Sequence, residues 1–346
     1  MFLLPCCSDK DDPENPRREF WRGPEMGPLE QLFRGKSFTK GHYSPHQGEM
    51  FMILRKQFSV ITLLLLTTCI FVSAANAADT PSCDRECLKG FVTKYLDAMI
   101  THKPESVPVA STVKFTEDCK ELKLGEGEWK IITGLTEYRR DVLDVKEGVA
   151  VSFNVVTEEG NNKALFTMRL KIVDNKITEI ETQAVHNQQE AMLLNLENLK
   201  TISKTMAFVP EKNQLLSRED LIKAGRTYAE GLKVGSFVKV DSPMAPDAYR
   251  YENGQLMAGP GCTFFQGCEV MKTQTIPKLA GITQRVMAVD EEMGVVAIRM
   301  NFGPGSTFRG GGELDVFHSF KIYDGVIHAA EAFFKQAPAG TKSGWE

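Results

Sequence analysis

The chain has 346 residues, a formal net charge of −4 and 42% hydrophobic content. That length suits two domains of ordinary size. The mild negative balance gives no electrostatic reason to expect nucleic acid or an anionic membrane surface as a partner.

Residues 1–49 carry repeated prolines, many polar residues and no periodic apolar face, so no core is expected there. They are either a disordered extension or upstream sequence read through in error, because Met50 or Met52 is the natural start of a signal segment. Residues 50–77 have the parts of a signal peptide in order. Arg55 and Lys56 give the positive flank, Phe58 to Val72 the apolar run, and Ala75-Asn76-Ala77 the small residues ahead of a cleavage site. The rival reading is a stable membrane anchor, but Phe58 to Val72 is shorter than the roughly 20 residues a span needs. The protein is therefore expected to be secreted, extracellular or periplasmic, with a mature chain starting at Ala78.

Five cysteines lie beyond the predicted cleavage site: Cys83, Cys87, Cys119, Cys262 and Cys268. An odd number leaves at least one free thiol in a monomer. Cys262 and Cys268 bracket a short Gly-containing loop and are positioned to pair. Cys83 precedes a helix within reach of Cys119, but spacing does not settle connectivity. No Cys-x-x-Cys occurs and the histidines are scattered, so no metal site is expected.

From residue 78 the chain repeats itself. Arg85-Glu86-Cys87-Leu88 through Tyr95 matches Arg218-Glu219-Asp220-Leu221 through Tyr228. Arg139, Asp144, Gly148 and Val149 match Arg285, Asp290, Gly294 and Val295. Lys171-Ile172, Asp174, Ile177 and Glu181 match Lys321-Ile322, Asp324, Ile327 and Glu331. The spacing between copies grows only in loops.

Each copy reads helix first and strands later. In the first module (78–187) a helix precedes strands that end in a hairpin at Asp174-Asn175. A linker (188–216) comes next, helical from Gln188 to Met206. The second module (217–346) opens with Ser217 three residues ahead of Asp220, a capping-box spacing. Leu221, Ala224, Tyr228 and Leu232 then recur at helical intervals. The segment Tyr249–Leu256 follows, and after a Gly-rich loop strands are predicted over Ile282–Val289, Gly294–Phe302, Leu314–Tyr323 and Val326–Phe334, with a hairpin turn at Asp324-Gly325. Gly310-Gly311-Gly312 lies between two strands with no helix after it, so it reads as a hairpin loop and not a phosphate cradle. The fold class is α+β: two tandem modules, each with helices packed on a curved antiparallel sheet.

Several stretches carry a resemblance: Cys83-Asp84-Arg85 leading to Tyr95, Arg250-Tyr251-Glu252-Asn253-Gly254, Phe320-Lys321-Ile322 with Asp324-Gly325, and Ser343-Gly344-Trp345. With the helix-then-sheet order, they resemble the nuclear-transport-factor-two-like superfamily with its SnoaL-like proteins, and within it an exported tandem family. The resemblance implies a cone-shaped pocket between sheet and helices. Superfamily members use it for cofactor-free isomerisation, dehydration, cyclisation or epoxide opening, or for ligand binding, or use the sheet only for pairing. Fold alone does not choose among these.

Strand alternation puts Val316, His318, Phe320 and Ile322 on one face. His318 shares a face with core or pocket residues and is a candidate acid–base group; equally, it is a core histidine satisfied by one hydrogen bond. The first copy has Met168 there. Glu331 is the second catalytic candidate, placed to orient His318, although its counterpart Glu181 also fits a structural role, such as pairing with Arg285 or Arg139. Arg250, Glu252 and Asn253 are candidate substrate-binding residues, with Lys114, Thr116 and Glu117 as their expected counterparts. Asn253-Gly254 also reads as a plain turn. Tyr228 and Phe320 complete the candidate lining, though Tyr95 duplicates Tyr228.

No nucleophile elbow, metal-binding helix or dinucleotide fingerprint occurs, and no cofactor is expected. Two readings remain. One is an exported lyase or isomerase acting on a small apolar or aromatic molecule by acid–base catalysis. The other is a non-catalytic ligand-binding or pairing module in which the copies form an internal pseudo-dimer, with a homo-oligomer left open.

Overall fold

The computed structural model describes residues 83–279, 281–303 and 312–345, all within one compact unit from Asn76 to Glu346. The predicted signal, the extension before it and Gly310-Gly311 lie outside the described residues. Among the described residues, no helix is long and apolar enough to cross a membrane.

In the first module, helix α1 (Arg85–Ile100) precedes strands β1 (Val109–Glu117), β2 (Lys120–Glu121), β3 (Ile132–Asp144), β4 (Val149–Glu158), β5 (Lys163–Val173) and β6 (Lys176–Val185). Asp84 caps α1 by accepting the Cys87 N–H at 2.9 Å. The strands form one sheet in the order β2-β1-β6-β5-β4-β3. At the β5–β6 hairpin, Asp174 and Asn175 both take positive φ, as a tight two-residue turn requires.

After short helices α2 (Gln188–Ala191) and α3 (Lys204–Ala207), the second module repeats the plan. Helix α4 (Arg218–Val234) precedes β7 (Met244–Glu252), β8 (Gln255–Ala258), β9 (Ile282–Asp290), β10 (Val295–Phe302), β11 (Glu313–Tyr323) and β12 (Val326–Ala337). Their order is β8-β7-β12-β11-β10-β9. Ser217 caps α4 as its spacing predicts, accepting the Asp220 N–H at 3.2 Å. Gly225 lets α4 approach the sheet closely. A Cβ there would lie 2.7 Å from a Val296 methyl and 3.2 Å from Ile298.

Two expectations are corrected. The sheets are mixed rather than antiparallel, because β1 runs parallel to β6 and β7 parallel to β12. The chain leaves β1 for the far side of the sheet and returns along a long path, which permits a parallel pair where a tight hairpin does not. The linker is also not a continuous helix. Met192 takes a φ of 63° after α2. The linker's polar groups then serve the β7–β8 turn: the Asn195 N–H donates to the Asn253 carbonyl at 2.9 Å, and Asn198 donates to that of Gly254 at 2.9 Å.

The repeated residues meet across the two modules. Arg85 of α1 grips Asp290, at the end of β9, through two bonds of 2.7 and 2.9 Å. Its counterpart Arg218 of α4 grips Asp144, at the end of β3, at 2.9 and 2.6 Å. Each aspartate also accepts a backbone N–H from the opposite module: Asp290 from Leu143 at 3.1 Å and Asp144 from Val289 at 2.8 Å. These planar two-point contacts form a strong, directional pairing.

Between them the sheets share an apolar layer. Phe333 of β12 lies 5.5 Å from Phe153 and 6.0 Å from Tyr138 of the first module. One core cluster therefore draws residues from both modules, while α1 and its sheet enclose a second. This layer explains why both faces of β11 are buried from Glu313 to Ile322.

Cys262 pairs with Cys268 as its loop suggests. Cys83 pairs with Cys87, not Cys119. Among the described residues Cys119 is the free thiol, in the turn after β1, and its sulfur donates to Asp315 at 3.2 Å.

Candidate functional site

A cavity of about 360 Å³ opens in the second module. Leu232 of α4 and Leu314, Val316 and His318 of β11 form part of its wall, with Arg250 and Glu252 of β7 and Ala332 and Phe334 of β12. The long loop between β8 and β9 supplies Phe265, Ile276 and Leu279, and the linker adds Met192 and Leu193. The Cys262–Cys268 bond closes that loop, which is further tied where the Gly259 N–H donates to the Cys268 carbonyl at 2.7 Å. The wall is mostly apolar with a few polar groups, the usual make-up of a small-molecule site.

His318 is the unusual member. Its residue is 1% exposed, and neither ring nitrogen has a hydrogen-bond partner among the described residues. Its ring stacks on Phe320 at 4.3 Å and meets the edge of Tyr228 at 4.7 Å. Burial, then the charges of Arg250 and Arg140, hold its pKa well below the ordinary histidine value. The imidazole is therefore neutral at pH 7, presenting one donor and one acceptor. A buried polar ring without partners costs stability unless something else meets it.

Arg250 is also buried. Its Nε lies 3.3 Å from Glu252, and its terminal nitrogens donate at 3.4 Å to the Tyr228 hydroxyl and the Gln274 side chain. Burial raises the Tyr228 hydroxyl to about 12 despite Arg250 beside it, so it stays protonated. Tyr228 and Phe320 thus support the imidazole and guanidinium from behind and do not line the cavity.

Asn253 is committed elsewhere. Its side chain donates to the Leu193 and Phe334 carbonyls at 3.0 and 2.9 Å and accepts the Phe334 N–H at 2.8 Å. It holds the β7–β8 turn at a φ of 47°. Glu331 does not orient His318: it pairs in register with Ser319, on the opposite face of the sheet. There it accepts from Ser203 and Tyr249 at 3.0 and 2.9 Å and lies 3.5 Å from Arg140 of the first module. Glu181 mirrors it, bonded to Arg285 at 2.7 Å and Arg299 at 3.3 Å of the second module.

Strand register also revises the comparison between copies. Arg250 pairs with Ala330 and Phe115 with Ile180, which makes Phe115 the counterpart of Arg250, and Asp118 that of Asn253. Asp118 repeats the turn with a φ of 49°, and its carboxylate accepts the Ala184 N–H. In the first module Phe115 and Met168 thus stand where the second has Arg250 and His318. Trp129 packs edge-on to Tyr95 at 5.1 Å and donates to its hydroxyl at 2.9 Å. The second module carries a polar pair beside a cavity where the first carries an apolar one. Sequence reasoning missed the loop and linker residues that wall this cavity, because their spacing carries no strand or helix period.

The fold and site define a tandem of two helix-and-mixed-sheet modules with a cavity in the second. The family model described as a domain of unknown function (DUF8021) matches twice, over residues 82–184 and 214–334. The chain belongs to that family and carries its domain in two copies. No curated protein matches it. Among solved structures, it is similar to a protein from Kribbella flavida DSM 17836 described only as a known function protein. That pair is 12% identical over 29% of this chain and 85% of the other, with a TM-score of 0.23. It is also similar to an NTF2-like protein of unknown function from Cytophaga hutchinsonii ATCC 33406. There the identity is 8% over 30% of this chain and 91% of the other, with a TM-score of 0.21.

Proposed function

We propose that the second module is an exported receptor for a small, mostly apolar molecule bearing one carbonyl, hydroxyl or carboxylate group. The supporting observation is His318: a neutral imidazole with two unmet nitrogens at an apolar cavity is complementary to such a group. A cavity of about 360 Å³ suits a compact or aromatic ligand. The two disulfides are compatible with an oxidising compartment, and the signal-like segment motivates export. The two modules, clasped through reciprocal Arg–Asp contacts, act as an internal pseudo-dimer in which the first supports and the second binds.

A cofactor-free lyase or isomerase is the second reading, favoured by Arg250 beside the imidazole. His318 would remove a proton next to a substrate carbonyl while Arg250 stabilises the oxygen that gains charge. The low pKa of His318 weakens it as a base, so binding is the primary reading.

The test is a thermal-shift screen of small hydrophobic carbonyl and hydroxyl compounds, since a ligand selective for the native state raises its melting temperature. A hit should stabilise the wild type, fail with His318→Ala and fail with Val316→Trp, which fills the cavity. Equal shifts in all three proteins, or no hit from a broad panel, would sink the proposal. Turnover of the hit by wild type alone would favour the lyase or isomerase reading.

A further inference from the structure

A second polar cluster lies in the first module, away from the cavity. Glu128 sits in the 3-10 turn Gly127–Lys130, Glu158 ends β4, and His186 comes directly after β6. A carboxylate oxygen of each glutamate and a ring nitrogen of His186 lie within 4.8 Å of one another. His186 Nδ1 is 2.6 Å from Glu158. Glu128 is only 2% exposed, and neither of its oxygens has a hydrogen-bond partner among the described residues. Glu117 stands next to it, accepting the Glu128 N–H at 2.9 Å, and Lys335 is taken by Asp118 at 2.5 Å and Glu190 at 3.2 Å. Several carboxyl groups thus share a buried corner with one lysine already engaged.

An orphaned, buried carboxylate facing a Glu–His pair is the arrangement a bound cation would satisfy. We propose that Glu128, Glu158 and His186 form a binding site for a first-row divalent cation of the zinc or manganese type. Two carboxylates and one imidazole are donors such ions accept, whereas calcium takes oxygen donors only. Metal–ligand bonds near 2.0–2.1 Å in a tetrahedron put donors roughly 3.3 Å apart, so the His186–Glu158 contact of 2.6 Å has to open to admit the ion between the two groups. His186 is part-exposed and gives a route from solvent.

The test uses the purified full chain, stripped with a chelator and titrated calorimetrically with Zn²⁺, Mn²⁺ and Ca²⁺ at neutral pH. One Zn²⁺ or Mn²⁺ per chain is expected, preferred over Ca²⁺. Glu128→Gln and His186→Ala should each weaken binding by at least about tenfold while circular dichroism of the stripped proteins stays native. His186→Ala alters a part-exposed residue, so it carries the test if Glu128→Gln fails to fold. Co²⁺ replacing Zn²⁺ should give a visible d–d spectrum in wild type that His186→Ala changes. Absence of stoichiometric binding, or equal affinity in wild type and His186→Ala, overturns the site.

Discussion

Replacing His318 with methionine, the residue at the same place in the first module, tests the electrostatic account of the cavity. In the native state the imidazole is buried, unpartnered and close to the positive Arg250, so it resists protonation. In the unfolded chain it titrates at its ordinary value. Between its low native pKa and about 6.5 the unfolded chain therefore binds a proton that the native chain refuses. Stability must then fall as pH falls through that window, with a slope of up to about 1.4 kcal/mol per pH unit. Taken from about pH 7.5 to about pH 5, this one group costs the wild type about 2 kcal/mol. Glu117 and Glu128, raised by burial to about 7 and about 9, act in the opposite sense, because the native chain holds protons that the unfolded chain releases. Both proteins share that contribution, so it cancels in their difference. Urea unfolding of wild type and His318→Met at the two pH values measures this difference. The gap in unfolding free energy should widen in the variant's favour by about 2 kcal/mol at the lower pH. The variant should also be the more stable protein near neutrality, by about 1–3 kcal/mol, because an unmet buried polar group is gone. A gap that does not change with pH refutes the reasoning.

The clasp between the modules and the cavity loop give two further expected outcomes. Asp144→Ala and Asp290→Ala each remove a nearly buried carboxylate that holds an arginine and a backbone N–H across the modules. Each should cost about 2–3 kcal/mol by urea unfolding, somewhat below a fully buried pair because the arginines keep partial exposure. A cost under about 0.5 kcal/mol would mean the clasp is incidental. Cutting the Cys262–Cys268 bond with a double serine variant should lower stability by about 2 kcal/mol, the loop-closure value for so short a ring. It should also weaken any cavity ligand, because Phe265 within that ring lines the wall; unchanged affinity would remove the loop from the binding site.

The internal repeat, the capping residue Ser217 and the hairpin at Asp324-Gly325 are legible in the sequence alone. They are local signals, set by φ/ψ preference and apolar period. Strand alternation by itself puts His318 on the face it shares with Val316 and Phe320, since successive side chains of a strand point to opposite faces. The parallel closure of β1 on β6 and the partners of Glu331 and Glu181 are not legible, because both depend on residues far away in the chain. The repeat matches Arg85 with Arg218 and Asp144 with Asp290 as equivalents. Only the tertiary structure turns those equivalents into crossed partners, Arg85 with Asp290 and Arg218 with Asp144. The same holds for Glu128, Glu158 and His186, whose spacing matches no local metal motif. What the sequence determined by itself was the elements and their duplication, which local geometry fixes. Which charges face each other, and where a cavity remains, was decided by packing two sheets together, because that alone sets which distant side chains leave water side by side.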